Sequence, residues 1–476
     1  MAALESLIVL SDVHLGSDLV AHAPPAAARR RTRAIDVDLT RLIDHYRASP
    51  PRRGRWRLVI AGDLIDFIGM VLPPEHAALE TAPSEEERAH GLGNARDHSL
   101  AKLRAVLRRH RAVFGAIARF VADGHALTII HGNHDLELHW EEVRAQLTRE
   151  LLARARRYAG RRGQAVDASA FVRRIEYSPW FFYRDGVAYI EHGHQYDAYC
   201  ATEHVLAPLS PVDPRRVARG FCEVLLRFVV RQTPGLTEHG HEEMGIVDYL
   251  RFGRRLGVAG MAALSVRFAR AIRELFRLRR AHLSDAAREL RAQHERALAR
   301  FARARRIGLR RVRALWRLQV PPVTKTISGI LGSLLLDRLA LAILCAATLG
   351  ALGVTAAFEP AALLGALAVV PAWVLGQHIL KKRRKIDAVT ELAARAGAVA
   401  SLIRAPFIVM GHTHVPARQP LGEHATYINV GSWAEDDGDA PASRAHLVID
   451  VGRRGPRARL LRWDRVLGPI GFDALA

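Results

Sequence analysis

Short apolar runs recur along the chain at residues 7–10, 58–60, 127–130, 187–190 and 407–410. Each has the length of a strand and lacks polar alternation, a pattern that predicts buried strands of an α/β fold. Runs at 426–430, 447–451 and 459–463 predict further strands that complete it. Between the second and third runs the period lengthens. Ser99 reads as an N-cap, Leu100, Leu103, Val106, Leu107, Phe114, Ile117 and Val121 share one face, and Gly124 reads as the stop. These positions predict one long amphipathic helix.

A third pattern has no period at all. Residues 339–358 carry no charge, Glu359 and Pro360 follow, and residues 361–380 are again uncharged. As helices the two stretches each span about 30 Å, the thickness of a bilayer's hydrocarbon core, so they predict a transmembrane hairpin turning at Glu359-Pro360. Basic residues flank both ends: Arg310, Arg311, Arg313, Arg317 and Lys325 before it, and residues 381–385 after it. The excess of positive charge places both ends, and the chain around them, on the cytoplasmic side of the inner membrane. Two alternatives remain at this stage: a pair of Ala-rich helices enclosed by protein, or shallow insertion into one leaflet.

Chemistry clusters where the five apolar runs end. They are followed by Asp12-Val13-His14, Gly62-Asp63, Gly132-Asn133-His134-Asp135, His192-Gly193-His194 and Gly411-His412-Thr413-His414. Crevice ligands of α/β sheets gather at such strand ends. Alternation along an extended chain would let Asp12 and His14 point the same way, and likewise His412 and His414. Carboxylate, amide oxygen and imidazole together suit manganese, iron or zinc. Seven candidate ligands, Asp12, His14, Asp63, Asn133, His192, His412 and His414, are too many for one centre that keeps a position open, which implies two divalent ions. Asp66, His131, Asp135 and His194 read equally well as partners that orient ligands or as turn residues. The segment His239-Gly240-His241-Glu242-Glu243 follows no strand and reads as a solvated loop.

The ordered set resembles the calcineurin-like metallophosphoesterases, whose pattern runs DxH, GDxxD, GNHD, a lone HG and GHxH. The resemblance implies a β-sandwich flanked by helices (αββα), with Asp63 bridging two metals. It further implies Asp12, His14 and His414 on one ion, Asn133, His192 and His412 on the other, and His134 as proton donor. Two cations lower the pKa of a shared water and neutralise charge on a phosphoryl group, so the expected reaction is hydrolysis of a P–O bond by a metal-bridging hydroxide.

The motifs occupy residues 1–200 and 386–476, so the catalytic domain is read as discontinuous. The intervening part divides into an Arg-rich helical insertion at 201–338 and the hairpin at 339–380. Composition sharpens the picture of the insertion. The formal net charge is +22, and residues 267–317 hold 17 arginines against four acidic residues. There Arg recurs beside Phe268, Ile272, Phe276, Leu290, Leu298, Phe301 and Leu315 at helical steps. Such a helix could lie on anionic headgroups, each basic residue contributing about 1 kcal/mol. Nucleic acid is the second choice of partner. Cys200, Cys222 and Cys345 have no motif spacing and read as reduced bystanders.

A membrane-tethered, cytoplasm-facing hydrolase points to a phosphorylated lipid or another phosphate-containing substrate. In places the core is similar to the UDP-2,3-diacylglucosamine hydrolases, which share the HG element and a GxW-like turn, here Gly431-Ser432-Trp433. It departs from them at His134, where that family carries arginine, and in the length of the insertion. The competing classes are a nuclease of the same superfamily and a non-catalytic scaffold.

Overall fold

The computed structural model describes residues 5–20, 26–51, 53–76, 78–233, 246–334, 336–356, 359, 361–382, 387–434 and 444–472. The strands are β1 (Glu5–Leu10), β2 (Arg55–Ala61), β3 (Ala126–Ile130), β4 (Ile175–Ser178), β5 (Phe181–Arg184), β6 (Ala188–Glu191), β7 (Phe407–Met410), β8 (Ala417–Leu421), β9 (Ala425–Asn429), β10 (Ala445–Gly452), β11 (Gly455–Asp464) and β12 (Gly468–Gly471). They form two sheets, β12-β11-β10-β1-β2-β3-β4 and β5-β6-β7-β9-β8. Every strand read from the sequence is present.

The uninterrupted apolar runs have a physical reason, because these strands are buried on both faces. In β1, Leu7 and Val9 face the other sheet, while Ile8 and Leu10 face the outer helices. In β7, Phe407 and Val409 face inward and Ile408 and Met410 outward. Each such side chain contributes about 1.5–3 kcal/mol on burial. Helices Ala26–Ala48, Arg96–Arg109, Arg111–Ala122 and Glu141–Gly160 cover the first sheet. Helices Asp285–Arg305, Leu309–Arg317 and Ala388–Leu402 cover the second. The result is two sheets flanked by helices on both outer faces.

The expected single helix from Ser99 to Gly124 is two helices. They meet at His110, whose φ of −103° and ψ of 44° break the regular turn. Ser99 lies inside the first helix, its hydroxyl donating back to the Ala95 carbonyl, and the start is at Ala95. The stop was read correctly, with Gly124 at φ +98°.

The Arg-rich segment departs from its reading in a more consequential way. Its apolar stripe is already covered by protein. Leu298, Phe301 and Leu315 share one cluster with Trp180 and with Phe181 and Tyr189 of the second sheet. Phe268 and Phe276 flank the insertion's own small core around Phe221, Val224, Ala271 and Leu275. The arginines thus decorate helices whose apolar faces are occupied.

The two uncharged stretches form helices Leu336–Ala356 and Ala362–Lys382, which pack on each other. The first is long and apolar enough to cross a bilayer, and none of its apolar window is buried in protein. Within the second, the described apolar stretch Leu367–Leu380 is shorter. Ile343, Leu344, Val354, Leu367 and Leu375 are all exposed, which removes the reading that the pair is enclosed by the rest of the chain. Pro360 at the tip, most of the basic run 383–385 and the His239–Glu243 motif lie outside the described residues. The cysteines are not all unrelated, since Sγ of Cys200 lies 3.4 Å from Sγ of Cys222.

Candidate metal centre

β1, β2 and β3 are parallel neighbours in one sheet, as are β6, β7 and β9 in the other. Their C-terminal ends therefore open on one edge, where six loops converge. Asp12 and His14 follow β1, Asp63 follows β2, Asn133 and His134 follow β3, His192 follows β6, and His412 and His414 follow β7. The chain turns sharply at these residues. Asp12, His14, Asp63, His412 and His414 all adopt left-handed backbone, with φ of 53°, 50°, 53°, 69° and 60°. Among described non-glycine residues only Arg306 and Arg444 share that property. Each costs of order 1–3 kcal/mol and persists only where surrounding structure imposes it. This corrects the expectation from strand alternation: Asp12 and His14 converge because the backbone coils back, whereas His412 and His414 fall into different groups.

Crowding explains the glycines of the motifs. A Cβ on Gly62 would sit 2.4 Å from the His192 ring, and one on Gly132 would sit 2.0 Å from Oδ1 of Asp63.

Three overlapping groups result, Asp12-His14-His414, Asp12-Asp63-His192 and His14-Asp63-His134, with a fourth, Asp197-Cys200-His412, beside them. Around Asp12, His414 Nε2 stands 3.3 Å and His14 Nε2 3.9 Å from Oδ1. Around Asp63, His192 Nε2 stands 3.2 Å and His14 Nε2 3.6 Å from Oδ2. Asn133 Oδ1 is 3.0 Å from the same His192 nitrogen. Ligand atoms that share one ion at about 2.1 Å lie roughly 3.0–3.5 Å apart, so most of these separations suit a common cation. Oδ1 of Asp12 and Nε2 of His14 are buried and have no hydrogen-bond partner. Orphaned polar atoms facing one another are what a metal would satisfy. These buried His and Asp groups could hold metal.

The electrostatics agree. Burial opposes ionisation of Asp12 and Asp63, yet the imidazoles around them, His192 foremost, hold both carboxyls below their ordinary range. Burial likewise disfavours charge on His192, but Asp63 and Asp12 outweigh it and raise its pKa to about 9. An ion would displace that proton.

The partners outside the ligand set are specific. His192 Nδ1 donates to the Ala61 carbonyl at 2.9 Å, leaving Nε2 toward Asp63 and Asn133. His412 Nε2 is taken by Asp197 Oδ2 at 3.0 Å, leaving Nδ1 as its nitrogen for an ion. His412 thus sits beside the main group, its ring 5.2 Å from that of His192. His134 Nδ1 is held by Asp66 Oδ1 at 2.8 Å, and the His134 ring stands edge-on to His14 at 4.4 Å.

Asp135 braces the loops, its two oxygens accepting from the backbone N–H groups of Gly132 at 2.6 Å and Leu64 at 2.8 Å. Burial and then Asp63 push its pKa up to about 7. His131 and His194 are buried but belong to none of the metal-competent groups. Burial holds both neutral, with Arg144 and His139 adding to the effect at His131, and His192 and His412 at His194.

Sequence reasoning missed Asp197, Asn429 and Ser432. Asn429 Nδ2 donates to the Gly411 carbonyl at 2.8 Å, and Ser432 Oγ donates to the Asp12 carbonyl at 3.1 Å. The backbone of the Gly-Ser-Trp turn also supports Asp12, through Trp433 N–H at 3.0 Å. Asp197 carried a signal as the first acid after the His192-Gly193-His194 triplet, and Ser432 stood within the Gly431-Ser432-Trp433 turn without a role assigned to it. Set against known proteins, the chain matches no family model and no curated protein.

Proposed function

We propose that this chain is a dinuclear metal-dependent phosphoesterase, tethered to the inner membrane with its centre facing the cytoplasm. The observation that carries the reading is the cluster of five left-handed Asp and His residues around the orphaned Asp12 Oδ1 and His14 Nε2. Strain concentrated on ligand-type residues at one sheet edge indicates a centre kept for chemistry. Asp12, His14 and His414 would hold one ion, Asn133, His192 and His412 the other, with Asp63 shared. Manganese, iron or zinc suits this donor set. When bound, the pair supplies an activated water and neutralises the phosphoryl charge.

The protein's own groups do the rest. Asp66 fixes the His134 ring through Nδ1, so Nε2 is the nitrogen that can deliver a proton to the leaving oxygen as the P–O bond breaks. Ala61 and Asp197 lock the His192 and His412 rings. The exposed apolar faces of Leu336–Ala356 and Leu367–Leu380 favour a lipid environment. That favours a phosphorylated lipid or lipid pyrophosphate as substrate. The arginine-covered outer helices favour nucleic acid as a second substrate class.

The test is metal analysis of detergent-purified protein, joined to hydrolysis assays on aryl phosphodiesters, lipid pyrophosphates, and single- and double-stranded DNA. About two ions per chain with lipid-phosphate hydrolysis is the expected result. Metal-free, inactive, folded protein under every loading condition would overturn the reading, and cleavage of DNA alone would shift it to a nuclease. Release from membranes by carbonate would remove the integral anchor.

A further inference from the structure

The proton donor is not built by the catalytic loops alone. Asp66, which grips His134, is wholly buried, and it uses Oδ1 for both His134 Nδ1 and the Gly69 N–H at 2.8 Å. Its other oxygen, Oδ2, lies 3.8 Å from Nη2 of Arg231. Arg231 belongs to the insertion, well beyond β6 in sequence, and reaches the site through local helix geometry. Residues Leu226–Val230 form a π-helical turn, with the Arg231 N–H donating to the Leu226 carbonyl at 2.9 Å. The wider turn brings Arg227 and Arg231 to one side.

Arg227 pins that side to the segment after β2, pairing with Glu86 and donating to the Gly91 and Leu92 carbonyls. Arg219 adds a second tie to Glu86 at 2.7 Å. The guanidinium of Arg231 is thereby delivered behind the dyad. Gly69 leaves room for it, since a Cβ there would stand 2.6 Å from Arg231 Nη2 and 1.9 Å from Asp66 Oδ2.

We infer that Arg231 is a positioning residue of the insertion that holds Asp66, and through it the His134 ring, in the geometry for proton delivery to the leaving group. The inference rests on the phosphoesterase reading and deepens it, because it makes the insertion part of the reacting site as well as a tether. A fixed cation beside a buried carboxylate offsets the cost of burying that charge. It also leaves Oδ1 free to orient the imidazole.

The test uses full-length protein in detergent, loaded with manganese. Turnover is measured on the p-nitrophenyl and phenyl esters of phosphate and of methyl phosphate, for the parent, Arg231→Ala, Arg231→Lys, His134→Ala and the His134→Ala/Arg231→Ala pair. Nitrophenolate departs without a proton, whereas phenolate needs one. Arg231→Ala is expected to lower phenyl-ester turnover about 10- to 100-fold, a part of what general acid catalysis supplies, with at most a few-fold loss on the nitrophenyl ester. Bound metal and Tm should stay at parent values, added guanidinium ion should restore turnover, and Arg231→Lys should fall between parent and Ala. In the His134→Ala background Arg231→Ala should add nothing, because both act on one proton.

Equal losses on both leaving groups, additive losses in the double variant, or no response to guanidinium would overturn the role of Arg231. If the metal-loaded parent hydrolyses neither these esters nor lipid phosphates and pyrophosphates, the phosphoesterase reading itself fails.

Discussion

His134 Nδ1 stands 2.8 Å from Oδ1 of Asp66, and the carboxylate has no exposure to solvent. The contact occupies Nδ1, while the ring also lies within reach of His14 and Asp63, so the donor and ligand roles of His134 are told apart by metal content. His134→Ala should therefore lower turnover by 10²–10⁴-fold, the range of a lost general acid, with metal content intact. Asp63→Ala should lose metal and activity together, since Asp63 belongs to two of the three overlapping groups. Elemental analysis beside steady-state rates checks both, and equal metal loss in the two variants would merge the roles.

A second expectation concerns Asp197. Its carboxylate accepts from His412 Nε2 at 3.0 Å, and burial is outweighed there by His412, which holds the carboxyl below its usual range. Asp197→Ala should weaken metal affinity about 10- to 100-fold, the usual cost of removing a group that orients a ligating histidine. Titration of stripped protein with manganese reads this directly. Unchanged affinity would detach His412 from the centre.

A third follows from the insertion's packing. Phe301 is 8% exposed and lies 4.9 Å, edge to face, from Phe181 of β5. Phe301→Ala should destabilise the protein by about 3–5 kcal/mol, as for other large aromatic truncations in cores. Denaturant unfolding gives the value, and a loss below about 1 kcal/mol would mean that the Arg-rich helix is not seated on the second sheet.

Much of this was legible in the residues. Strands buried on both faces are written as unbroken apolar runs, so residues 7–10, 58–60, 127–130 and 407–410 could hardly read otherwise. The Asp and His residues at their ends were equally plain as candidate ligands. What misled was the reason for convergence: alternation was assumed at Asp12 and His14, where a left-handed backbone does the work. Ser99 looked like a cap because a serine before an apolar period usually is one, yet a hydroxyl can also bond back to the carbonyl one turn earlier. The stripe of Leu298, Phe301 and Leu315 was read correctly as amphipathic, but a stripe does not say what covers it. Asp197 and Arg231 act through space on His412 and Asp66, across separations that no local pattern encodes.

The pairing of Leu7 with Ile449 has a consequence for synthesis. β1 lies between β2 and β10, and β10 leaves the ribosome after β1, the insertion and both apolar helices. The strands β1 to β4 of one layer can pair early, but His412 and His414 arrive last among the candidate ligands. The two halves of the candidate centre therefore meet only after both apolar helices have been made, and a chain truncated before β7 would carry both helices and lack His412 and His414.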